Sequence, residues 1–259
     1  MSAPLLDFRE VSVARGETTV LHDLTLRIAA GEHVAILGPN GCGKSTLIKT
    51  ITRECYPLRT AGSSLTILGQ QRWHILDLRR QLGIVTHDPL QTIEGVTGFE
   101  LVVSGFFSSA GIWRLRQQIT AEMEASALRA LDRMEVRHLA DREVNAMSSG
   151  ELRRVQIARA LAHDPLALLL DEPSANLDLA AQQELREILR RLATAGTGLV
   201  LVTHHLSDII PEVDRVIFLR AGRIIEDGRK ADLLTPERLK ALFGVSVAVT
   251  ERDGYFHAW

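Results

Sequence analysis

Cysteine is nearly absent from this 259-residue chain, which carries only Cys42 and Cys55. Two thiols cannot build a disulfide framework, and a reducing compartment suits them. A basic excess is also missing: the formal net charge is −2, which argues against a general nucleic-acid binder. No uncharged apolar run approaches the ~20 residues that span a bilayer. The opening residues MSAPLLDFRE lack the basic segment and long apolar core of a secretory signal. There is no internal repeat and no low-complexity tract. These absences lead to the expectation of a soluble cytoplasmic chain, with any membrane role exercised through a partner. What is present is ordinary for a soluble folded protein. Hydrophobic residues make up 46% and charged residues 24%, enough for a sizeable core in one large α/β domain or two small ones.

Several short apolar runs stop at glycine, histidine or an acidic residue: 33–37, 65–68, 83–86, 166–170 and 199–203. Runs without alternation suit strands buried on both faces of a parallel sheet. Helical spacing follows at 44–52, 179–193 and 207–213. Strand followed by helix is the rhythm of an open α/β sheet. Residues 5–30 instead alternate around the turn Ala14-Arg15-Gly16, and 215–227 read as a hairpin around Ala221-Gly222. Both patterns predict antiparallel strands. Residues 97–163 look mostly helical, as a lobe inserted into a single domain.

Three stretches carry chemistry. Gly38-Pro39-Asn40-Gly41-Cys42-Gly43-Lys44-Ser45-Thr46 matches G-x-x-x-x-G-K-[ST], directly after the strand HVAIL and before a helix. In this context the pattern is a phosphate-binding loop. Its glycines let backbone N–H groups turn toward phosphate oxygens, and the helix start adds its positive dipole end. Lys44 is placed to reach the β- and γ-phosphates, and the Ser45 hydroxyl to ligate Mg²⁺. The strand 166–170 runs into Asp171-Glu172-Pro173. Asp171 suits the water shell of Mg²⁺. Glu172, read as facing the other way by strand period, suits a general base that polarises the attacking water. The strand 199–203 ends in His204-His205; His204 is placed to donate to a γ-phosphate, while His205 reads as surface. A fourth stretch, Met147-Ser148-Ser149-Gly150-Glu151, opens a helix with Ser148 as N-cap and Glu151 as its capping-box partner.

With these motifs in this order, the sequence resembles the ATP-binding-cassette (ABC) ATPases over roughly residues 5–245. The resemblance implies an α/β fold with a P-loop NTPase (RecA-like) core, an N-terminal antiparallel β-subdomain and an inserted α-helical subdomain. It assigns the whole of 1–259 to one ABC ATPase domain, with the helical subdomain at about 88–163. It makes 147–151 the signature, 174–178 the D-loop, and His204 the switch histidine. It also implies ATP and Mg²⁺ as cofactors and a head-to-tail dimer of two copies, each ATP held between one copy's P-loop and the other's signature. Ser148, Ser149, Gly150 and Glu151 then belong to a nucleotide site, and Asp178 bridges subunits, although a plain N-cap role for Asp178 is also open.

The chain departs from the family pattern at three places. The signature usually reads Leu-Ser-Gly-Gly-Gln, so Ser149 and Glu151 are substitutions; a Glu151 folded back onto Ser148 keeps its charge off the phosphate. The Q-loop glutamine is replaced by His87, which as neutral imidazole can ligate the metal or accept a proton from water; the alternative is a loop that only couples domains. The adenine-stacking aromatic is replaced by Arg15, whose guanidinium can stack on a base or simply stand in solvent. Cys42 inside the loop predicts that thiol alkylation blocks hydrolysis.

The leading functional expectation is an ATPase subunit at the cytoplasmic face of a membrane, driving a separate permease in importer fashion, with a metal chelate or an oxyanion as cargo. The apolar segment 98–107 is expected to be partly exposed and to meet that permease. Direct nucleic-acid contact is not expected. The rival readings are a stand-alone ABC ATPase acting on a nucleic-acid or ribosomal assembly, and a catalytically dead nucleotide sensor.

Overall fold

The computed structural model describes residues 3–86, 95–107 and 119–259. In chain order its strands are β1 (Leu6–Arg15), β2 (Thr18–Ile28), β3 (His33–Leu37), β4 (Ser64–Ile67), β5 (Leu82–Val85), β6 (Ala167–Asp171), β7 (Gly198–Thr203), β8 (Arg215–Arg220), β9 (Arg223–Arg229), β10 (Val249–Arg252) and β11 (Tyr255–Ala258). The helices are α1 (Lys44–Ile51), α2 (Ile75–Gln81), α3 (Gly98–Val103), α4 (Ala121–Arg133), α5 (Ser149–Leu161), α6 (Leu179–Thr194), α7 (Lys230–Leu233) and α8 (Pro236–Phe243). The α/β class expected from the sequence is the one observed. Contacts divide the chain into two compact units, residues 1–75 with 198–259, and residues 76–197. No helix among the described residues is long and apolar enough to cross a membrane.

In the first unit β1 lies between β2 and β4 in an antiparallel sheet. Its inward set changes phase: Leu6 and Phe8 are buried, then Val11 and Val13. The register with β2 shifts between Phe8 and Val11, and Glu10 takes φ 49 there. A bulge of this kind absorbs one residue and keeps both hydrophobic pairs inward. Beside it, β3 pairs in parallel with β7 on one side and β8 on the other, and β9 closes the row antiparallel to β8. All six residues of β7 and four of the five in β3 are buried, as a strand covered on both faces requires.

Two expectations fail here. The run 65–68 is not a parallel strand: β4 pairs antiparallel with β1. Its burial alternates, so it needs cover on one face only. The segment 207–213 is not a helix either. It is a short 3₁₀ turn over Leu206–Asp208, after which the chain runs on without helix. Pro211 lacks an N–H and disfavours helical geometry in the residue before it, so Ile209, Ile210 and Val213 are buried without forming a helix.

Residues 230–259, which drew no expectation, form α7, α8 and the antiparallel hairpin β10–β11. Thr235 caps α8 by accepting from the Arg238 N–H, with Pro236 in the first turn.

In the second unit β5 and β6 pair in parallel, and α5 packs against α3, α4 and α6. The segment 98–107 contributes α3 and a following turn; Leu101, Val102, Val103 and Ser104 are buried, and Phe99, Phe106 and Phe107 are half-buried.

Candidate functional site

The phosphate-binding loop leaves β3 and enters α1 in the first unit. Gly38 N–H bonds to the Thr203 carbonyl at 3.3 Å, and the Gly222 N–H to the Cys42 carbonyl at 2.8 Å, so the loop is held from both sides by its own unit. A β-carbon at Gly38 would lie 2.2 Å from the Leu219 carbonyl oxygen; only glycine fits. Gly43 caps α1 with φ 112, a conformation that side-chain-bearing residues rarely adopt. Lys44 is 7% exposed, and its ammonium donates to the carbonyls of Gly38 at 2.7 Å and Pro39 at 3.2 Å. Those bonds place a buried cation at the helix start, where anions are favoured. Asn40, Gly41 and Ser45 are exposed, whereas Cys42 and Thr46 are buried. Arg15 is exposed at the end of β1.

The histidine loop follows β7 in the same unit. Buried Thr203 donates its hydroxyl to buried Asp208, and the His205 N–H bonds back to the Thr203 oxygen at 3.0 Å. This closed turn presents the two imidazoles against each other, with ring centroids 3.8 Å apart at 40°. His204 is half-buried and His205 exposed. The surface placement expected for His205 is observed. Asp208, which shapes the turn, was missed because its sequence neighbours read as a helix.

The carboxylates lie in the second unit. Asp171 is the last residue of β6 and is half-buried. Glu172 has left the strand and takes φ 46, so the strand-period argument for its direction does not apply. Its carbonyl accepts the Ala175 N–H at 3.1 Å, starting the turn that leads to Asp178. A non-glycine residue held at positive φ stores strain of a kind that clusters at functional sites. Asp178 caps α6 by accepting from the Ala181 N–H at 2.8 Å, the N-cap role anticipated for it.

The helix start at Ser148 is a complete capping box. Ser148 N–H donates to the Glu151 carboxylate at 2.7 Å, and Glu151 N–H donates to the Ser148 hydroxyl at 3.2 Å. These bonds from Ser148 hold the Glu151 carboxyl below its ordinary range, with Arg142 and Arg154 adding attraction. Ser148 and Ser149 are exposed, while Gly150 is buried beneath them. A β-carbon at Gly150 would lie 2.8 Å from the Ala181 methyl, so α6 also requires this glycine.

Sequence reasoning also missed Arg153. It is 8% exposed, and its guanidinium donates to the Thr86 carbonyl at 3.4 Å. Burial lowers its pKa, and the Asp171 charge opposes that shift. A buried arginine is rare without a partner, and an arginine two residues past the signature was the available signal. His87 lies outside the described residues.

A family model described as ABC transporter matches residues 21–175. The chain is 34% identical over 258 residues to a hemin import ATP-binding protein of Myxococcus xanthus, covering 96% of this chain and 93% of that one. It is 37% identical over 233 residues to a cobalt import ATP-binding protein of Rhodobacter capsulatus, covering 89% and 80%. Among solved structures, a component of an ABC transporter complex from Clostridium perfringens superposes with a TM-score of 0.75 at 27% identity, covering 92% of this chain and 94% of that one.

Proposed function

The chain is an ATPase cassette of the ABC transporter family, and on that premise we propose that it is the ATP-hydrolysing subunit of an importer. Two copies close head to tail around two ATP molecules and drive substrate through a separate membrane permease, with the cassette held at the cytoplasmic face. The whole of 1–259 then acts as one ABC domain, with the helical lobe at about 88–163 inserted in it. The observation that carries this reading is the buried Lys44 ammonium, held on two loop carbonyls at the head of α1. That cation is preset for the β- and γ-phosphates.

Each remaining residue has a role in this reading. The backbone from Gly38 through Thr46, with Pro39, Asn40, Gly41, Cys42 and Gly43 between, cradles the phosphates. Arg15 stacks on adenine. Ser148, Ser149 and Gly150 approach the γ-phosphate bound to the other copy, with Glu151 folded back as their cap. Asp178 bridges the copies. Glu172 accepts a proton from the attacking water, and His204 donates to the γ-phosphate. His87 stands in for the Q-loop glutamine. The hydroxyl and carboxylate oxygens of Ser45 and Asp171 are hard donors that suit Mg²⁺; Ser45, Asp171 and His87 are the residues that would hold it. When bound, the ion would neutralise charge developing on the transferred phosphoryl group.

Cargo is a metal chelate or an oxyanion. Relatives named for hemin and ferric enterobactin support the first class, and one named for phosphonates supports the second.

Affinity purification from native membranes tests the assignment, together with the Glu172→Gln variant. Recovery of a multi-span protein in equal ratio, and an ATP-dependent dimer that the variant can no longer resolve, are expected. A soluble nucleic-acid complex in place of the permease would overturn it. So would turnover that survives Glu172→Gln.

A further inference from the structure

The first unit contains a cavity of about 510 Å³. It lies within the range of roughly 300–1,000 Å³ typical of small-molecule sites. Its walls come mostly from the C-terminal segment, which lies beyond the family match at 21–175 and supplies none of the phosphate-loop residues. Leu239 and Phe243 of α8, Val245 and Val247 of the link that follows, and Phe256 of β11 give an apolar lining. Polar groups occupy the rest: His204, His205 and Ser207 from the loop after β7, and His257 from β11.

This wall is built in advance of any ligand. Lys230 sits between the segments that frame it, and its ammonium donates to the carbonyls of Ile210, Pro211 and Gly254. The chain end is tied by paired backbone bonds between Ala248 and Trp259, at 3.0 and 3.2 Å. A preformed cavity spares a ligand the ordering entropy of closing a loop around itself.

We propose that this cavity binds a small amphipathic ligand, with an apolar ring-bearing body against the α8 and β11 side chains and a carboxylate-like anionic end on the imidazole and hydroxyl donors of His204, His205, Ser207 and His257. The apolar lining fixes the body, and the donors fix the end, because an anion accepts hydrogen bonds from imidazole N–H and serine O–H groups. The same imidazole, His204, serves both this cavity and, in the function proposed above, the γ-phosphate. Occupancy therefore restrains the switch loop and lowers turnover. The regulatory half rests on that function; the binding half does not.

The test uses the purified full chain and 8-anilinonaphthalene-1-sulfonate, an aromatic anion whose fluorescence reports an apolar site. One saturable site is expected. Val247→Trp, which fills the cavity, weakens binding about tenfold or more without changing ATP affinity. Val245 is 57% exposed, so Val245→Trp gives a second filling variant whose folding does not depend on core packing. His257→Ala reduces the preference for the sulfonate over uncharged naphthalene. ATP turnover by the unsubstituted chain falls over the same probe concentrations. Non-saturable binding, or binding untouched by either tryptophan, overturns the site. Saturable binding with unaltered turnover overturns the regulatory half alone. A chain that binds the probe normally but hydrolyses no ATP in its absence contradicts the proposed function and leaves the site standing.

Discussion

Gly150 and Ala181 meet so closely that a β-carbon on residue 150 would sit 2.8 Å from the Ala181 methyl. The glycine that the proposed dimer needs for approach to phosphate is also the contact point of α5 with α6. Gly150→Ala therefore destabilises by about 1–3 kcal/mol through overpacking. Adding Ala181→Gly returns the thermal midpoint but not ATP turnover. Full recovery of both would show that packing alone selects this glycine.

Glu151 tests the capping box. Glu151→Ala removes it and lowers stability by about 1 kcal/mol, whereas Glu151→Gln retains the bond and changes turnover by less than about tenfold. The carboxyl is held below its ordinary range by Ser148, so its charged form stabilises the fold. That contribution is complete above the unfolded carboxyl value and disappears as pH falls through the folded one. Thermal midpoints of the native chain and Glu151→Ala should accordingly converge in acid, and a gap that widened there would contradict the cap.

Arg153 is the residue whose removal should affect chemistry more than binding. Its guanidinium bonds to the Thr86 carbonyl and senses the Asp171 charge. Arg153→Met is expected to lower kcat about tenfold or more with KM for ATP changed little, and Arg153→Lys to recover part of the loss. An equal effect on both constants would reduce Arg153 to a packing residue.

The two neighbouring histidines should separate cleanly. General acid–base and hydrogen-bonding groups supply about 10²–10⁴-fold in rate, so His204→Ala should reduce turnover by at least 10²-fold. His205→Ala should leave it within about threefold, and equal losses would mean that the stacked pair acts as one unit.

Gly38→Ala places a methyl 2.2 Å from the Leu219 carbonyl and 2.7 Å from the Cys42 sulfur. ATP binding and the thermal midpoint should both fall. Cys42→Ala should not rescue them, because the closer obstacle is backbone. Rescue would place the conflict at the sulfur instead.

Much of the molecule was legible because its signals are local. The phosphate loop, the strand ending in Asp171 and the Ser148–Glu151 box each rest on residues a few positions apart. The 207–213 segment misled for the same reason: its apolar spacing suits a helix, but Pro211 and the Thr203–Asp208 bond decide otherwise. Glu172 was placed by strand period, yet its φ of 46 puts it in the turn beyond the strand. The 230–259 segment drew no expectation although its local signals are present: Thr235-Pro236 opens α8 and Gly244 ends it, and Asp253-Gly254 turns β10 into β11.

By itself, then, the sequence determined the α/β class, the loop at Gly38–Thr46 and the caps at Ser148 and Asp178, all set by steric and hydrogen-bonding rules that act within a few residues. Tertiary structure alone decided that Gly150 must admit Ala181, that Arg153 is buried near Thr86 and Asp171, and that α8 and the final hairpin wall a cavity beside His204. Those relationships join residues distant along the chain, and they exist only once packing has brought the elements into contact.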